Sequence, residues 1–95
     1  MNLKSVSATN GESIVIINQW AAEAKKRGTT IVSSTWTYSG AGTLTSGALT
    51  GTKATVRLTP TYNGVVSNTV TLADGEVLIG TRVVSVEGIR YGTTY

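Results

Sequence analysis

The chain has 95 residues, a formal net charge of +3, no cysteine and no histidine. That length fits one domain with one thin core, and the missing residue types exclude disulfides, thiolate nucleophiles, imidazole metal ligands and an ordinary catalytic triad. The basic residues are scattered apart from Lys25-Lys26-Arg27, which reads as a solvated helix end rather than a nucleic-acid stripe with interleaved aromatics. Residues 1–5 lack the apolar run of a signal peptide, and no segment approaches the roughly 20 apolar residues of a membrane span. A soluble chain with neither nucleic-acid nor membrane partners is expected.

In chain order, residues 1–12 read as a polar N-terminal arm with a turn signal at Ala8-Thr9-Asn10-Gly11. Ser13–Ile17 is a short, β-branched apolar run and predicts the first strand. A helix over about 18–27 follows, with Asn18 placed to cap it, Ala21, Ala22 and Ala24 as helix formers, Glu23 and Arg27 spaced for an ion pair, and Gly28 as terminator. Trp20 beside this helix is either a lid over the core or an exposed sugar-stacking platform.

From Thr29 onwards the pattern is strand and turn. Val32, Ser34, Trp36 and Tyr38 share a face, which places Trp36 in the core. Breaks are expected at Ser39–Gly42 and at Ser46-Gly47. Ala54, Val56 and Leu58 then alternate with Lys53, Thr55, Arg57 and Thr59 as far as Pro60. After a tight turn at Asn63-Gly64, the inward set is Val66, Asn68, Val70 and Leu72. Asn68 is either a ligand contact or an amide satisfying nearby backbone at a sheet edge. Asp74-Gly75 predicts a hairpin with a type I′ turn. Val77 and Ile79 are odd-numbered whereas Val84 and Val86 are even, so a bulge is expected near Gly80-Thr81, with Arg82 near a sandwich rim. About seven short antiparallel strands and one short helix after the first strand make an all-β, immunoglobulin-like sandwich over residues 13–87 the expected fold.

The chemical inventory is sparse. Only Asp74 and Glu76 are close in sequence among the carboxylates, and acids at a hairpin turn commonly serve turn chemistry and solubility. Ca²⁺ would need about six ligands, and a glycosidase pair would need carboxylates facing across a cleft. No catalytic residue, metal or cofactor is expected. The segment 88–95 contains Ile89, Arg90, Tyr91 and Tyr95, residue types that recur in interface hot spots. It reads as a C-terminal arm for a partner subunit, with Leu3 and Lys4 as its N-terminal counterpart.

Ile-Val-Ser-Ser-Thr-Trp-Thr (31–37), Leu-Thr-Gly-Thr-Lys-Ala-Thr-Val (49–56), Val-Ser-Asn-Thr-Val-Thr (66–71) before Ala73-Asp74-Gly75, and Arg-Val-Val-Ser-Val (82–86) follow one another in order. The region they define, Ile31–Glu87, resembles the small Ig-like domains of tailed-bacteriophage virion proteins. The helix before the tryptophan strand is longer than that pattern, Asn10–Asn18 matches it poorly, and the Tyr/Arg tail is extra. The resemblance implies a virion accessory such as a capsid decoration protein, head fibre, or tail or neck component. It would be made in the host cytoplasm, bound to capsid or tail subunits, and homo-oligomeric. The alternative is a carbohydrate- or host-surface-binding module with Trp20 and tyrosines as its platform.

Overall fold

Strict alternation is clearest in Lys53–Pro60, where Ala54, Val56 and Leu58 are buried and Lys53 and Arg57 are exposed. This strand forms the middle of one of two sheets. The computed structural model describes residues 4–87. Over these, the order is β1 (Val6–Thr9), β2 (Ile14–Gln19), α1 (Ala21–Arg27), β3 (Ile31–Tyr38), β4 (Gly42–Thr50), β5 (Lys53–Pro60), β6 (Gly64–Leu72) and β7 (Val77–Glu87). Seven strands form a four-stranded sheet, β1-β7-β6-β3, and a three-stranded sheet, β2-β5-β4. The arrangement is sandwich-like.

Two apolar clusters lie between the sheets. One gathers Ile16, Val56, Leu58, Val66, Val84 and Val86; the other gathers Trp20, Ile31, Ala54, Val70 and Leu72. Fully burying each such Val or Leu contributes about 1.5–3 kcal/mol, so these inward positions dominate the favourable side of folding.

The N-terminal stretch departs from the expected arm. Val6–Thr9 is a strand, because it lies alongside β7 with Val6 opposite Val84 and buries Ala8 against the core. It runs parallel to β7, so the four-stranded sheet is mixed and not wholly antiparallel. The helix consequently follows the second strand. Asn18 does not cap it: Asn18 belongs to β2, points inward and is buried. Trp20 occupies the N-cap position, while the Gln19 Oε1 accepts from the Ala21 N–H at 3.0 Å. Gly28 ends the helix in the left-handed region (φ 63°), its N–H bonded to the Lys25 carbonyl.

Three further corrections concern register and turns. β6 and β7 pair without interruption from Gly64 opposite Val84 to Thr71 opposite Val77, so there is no bulge at Gly80-Thr81. Val77 and Ile79 instead face outward, each about half exposed, while Leu78, Gly80, Val84 and Val86 point in. The register shifts lie elsewhere, between Ile31 and Ser33 and between Thr45 and Ala48. The first turns Val32 out to solvent; the second carries β4 through the expected break at Ser46-Gly47, with Ser46 at φ 55°. At Asp74-Gly75 the hairpin is present, but only Gly75 has positive φ. Gly75 N–H bonds the Leu72 carbonyl and Leu72 N–H bonds the Glu76 carbonyl, a three-residue loop in place of type I′. Residues 61–63 likewise connect β5 to β6 across the two sheets and make no hairpin.

Candidate interaction surface

A polar chain runs between the two apolar clusters. Asn68 is buried on β6, and its Oδ1 accepts from Trp20 Nε1 at 2.8 Å and from Asn18 Nδ2 at 3.4 Å. Its Nδ2 donates to Ser34 Oγ at 2.8 Å and to the Thr35 carbonyl at 3.0 Å. Asn18 Oδ1 in turn accepts from Arg82 Nε at 2.8 Å. The remaining Arg82 nitrogens donate to the Ile17 carbonyl at 2.9 Å and the Lys4 carbonyl at 3.2 Å. All hydrogen-bonding atoms of the Asn68 amide group are therefore engaged, which makes this a structural pin and not a ligand contact. Trp20 is clamped within it and fully buried, so it offers no platform for a sugar.

The two flanks of the molecule differ. On one, Arg82 covers the ends of the sheets by taking the carbonyls of Ile17 on β2 and Lys4 just before β1. On the other, β3 and β4 are the outer strands of their sheets. Neither contains a charged residue or a proline. Exposed edges in monomeric proteins usually carry such protection. Lys53, Arg57 and Pro60, residue types that guard edges elsewhere, all lie on the central strand β5.

Between these two edges is a groove of about 410 Å³ lined by Ser34, Trp36, Leu44, Ser46, Gly47 and Val56. The register shift at Thr45–Ala48 falls at this groove, and Gly47 places no side chain beside the indole. Trp36 packs against both apolar clusters, as expected, but is only partly buried and also walls the groove, whereas Trp20 is the fully buried tryptophan. The Trp36 Nε1 is buried with no acceptor among the described residues.

Asp74 Oδ1 accepts from the Glu76 N–H at 2.9 Å, and Glu76 pairs with Arg27 at 3.0 Å; Arg27 also meets Glu23 at 3.7 Å. The acids at this turn are committed to turn and helix. Among the described residues no three His, Cys, Asp or Glu side chains gather to hold a metal, and no helix is long and apolar enough to cross a membrane. Lys4 is exposed; Leu3, Ile89, Arg90, Tyr91 and Tyr95 lie outside the described residues. Sequence reasoning missed Asn18 as a partner of Asn68 and Arg82 as the donor to Asn18. The signal was available, since Asn18 keeps the even-numbered inward phase of Ile14 and Ile16.

Comparison with protein-family models, curated proteins and solved structures gives no match to this chain.

Proposed function

We propose that this chain is a non-enzymatic structural protein of a tailed-bacteriophage virion, a capsid decoration or other accessory component that binds its lattice through sandwich edges and terminal arms. The observation that supports this best is the β3/β4 flank, which carries no charged residue or proline and has a bulge in β4 as its one interruption of the edge. A pair of long uncharged edges around a half-open groove is a liability for a free monomer and an asset for a protein that docks. The immunoglobulin-like reading has support from the strand division. If β2 to β7 are taken as strands B to G, the sheets are BED and CFG, with Trp36 on strand C. Burial of Trp20 removes the aromatic on which the carbohydrate reading leaned.

Co-sedimentation of the full chain with purified virions lacking it tests the proposal. Saturable binding is expected, and deleting residues 88–95 should abolish it while melting is retained. Absence of saturable binding overturns the reading.

A further inference from the structure

The free edge of β3 is complementary to itself. Alternate residues of an antiparallel strand turn their N–H and C=O groups to the same side. Ser39 N–H donates to the Val65 carbonyl at 3.0 Å, and the Thr35 carbonyl accepts from Asn68 Nδ2 at 3.0 Å. The odd-numbered residues of β3 therefore bond towards β6, in a register unbroken from Ser33 to Tyr38. Ser34, Trp36 and Tyr38 turn their backbone groups to the other side, where no further strand lies among the described residues. The β4 edge has no such run, because its register shifts between Thr45 and Ala48.

This pattern of donors and acceptors matches a second copy of the same edge, run antiparallel about a two-fold axis. In one register Ser34, Trp36 and Tyr38 all pair among themselves, and it centres the axis on Trp36. Trp36 then stands opposite the partner's Trp36 and Ser34 opposite the partner's Tyr38, giving about six backbone hydrogen bonds. On the outer face Thr35 stands opposite the partner's Thr37; both are exposed, and threonines pair well across strands. On the inner face the two indoles meet at the axis, each walling its own groove. Neither β3 nor its neighbour β6 carries a charge, so this half of the sheet holds nothing that repels a like copy. Going beyond the virion reading, we propose that two copies pair through β3 in this register, joining their four-stranded sheets into one. The contact is isologous and closes at the dimer, which leaves the β4 edges for a lattice.

The test is light scattering of full-length chains at micromolar concentration. Thr35→Lys with Thr37→Lys sets like charges opposite each other across the axis, and Thr35→Glu with Thr37→Glu does so with the other sign. Wild type should have twice the monomer mass. Each double variant alone should be monomeric with unchanged melting, and an equal mixture of the two should return to twice the monomer mass. The register is read separately. The chain has no cysteine, so Thr35→Cys and Thr37→Cys each supply a single thiol. Their Cα atoms would lie about 4.5 Å apart across the axis, within disulfide reach, so an equal mixture should cross-link on mild oxidation and either variant alone should not. Cross-linking in the separate samples but not in the mixture would overturn the register. A monomeric wild type, or double variants that associate as wild type does, would overturn the pairing. If that monomer binds virions and the lysine variant does not, a virion strand holds the edge in place of a second copy. A wild-type dimer that fails to co-sediment with virions would overturn the virion reading alone.

Discussion

At the scale of single residues, Asn68 carries more than its size suggests. Removing its amide leaves Trp20 Nε1 and Asn18 Nδ2 without an acceptor and Ser34 without its donor. Each buried unsatisfied group costs about 1–3 kcal/mol, so Asn68→Ala should lower stability by about 2–4 kcal/mol, read as a lower denaturant midpoint at unchanged slope. Tyr38 has a different sensitivity. Desolvation by burial raises its phenol above the ordinary tyrosine value, and its hydroxyl donates to the Tyr62 carbonyl. A raised folded-state pKa means that the stabilisation is fully present below about pH 10 and is lost as pH climbs through the folded value. The melting difference between wild type and Tyr38→Phe should stay constant up to about pH 10 and narrow above it; a gap unchanged well into that range would contradict the assignment.

At the scale of elements, two glycines set how closely the connections pack. A Cβ on Gly40 would sit 2.4 Å from the Asn63 carbonyl oxygen, and one on Gly64 would sit 2.4 Å from the Gly40 nitrogen. Neither neighbour is a flexible side chain, so Gly40→Ala and Gly64→Ala should each cost about 1–3 kcal/mol, measured by thermal melting. The double variant should cost less than the sum, since one backbone displacement relieves both. What was legible in the sequence follows from how local each signal is. β5 could be read because Ala54, Val56 and Leu58 are flanked by Lys53 and Arg57 in strict alternation. The helix end could be read from Gly28, and the Glu23–Arg27 pair is present. β1 could not, because four residues carry no period and its strand identity depends on β7, far along the chain. Val77 and Ile79 misled because apolar side chains there face outward. The groove was illegible for a similar reason: which strands become edges is a matter of sheet order, and β3 and β4 meet only once both sheets exist.

At the scale of the whole molecule, Arg82 ties together parts that are far apart in the chain. It reaches the segment before β1, the end of β2 and, through Asn18, the polar chain to Asn68 on β6. Arg82→Met keeps the length of the side chain and removes every donor. Hydrogen bonds from a charged group are worth about 1.5–3 kcal/mol, so the variant should lose about 2–3 kcal/mol. Amide exchange should speed up in β1 and β2 well before it does in β5 and β6. Uniform acceleration across all strands would mean that Arg82 is not specific to that flank.

The parallel pairing of β1 with β7 has a mechanical meaning. Because Val6–Thr9 and Val84–Glu87 run in the same direction, the chain enters β1 at one end of this pair and leaves β7 at the other. A tension applied through the two termini pulls β1 and β7 past each other along their length. Their hydrogen bonds then share the load in shear and must give way together, instead of opening one at a time like a zip. A subunit threaded by its ends between larger bodies would resist being drawn apart until the whole pair ruptures, and its equilibrium stability would be a poor guide to the force it bears.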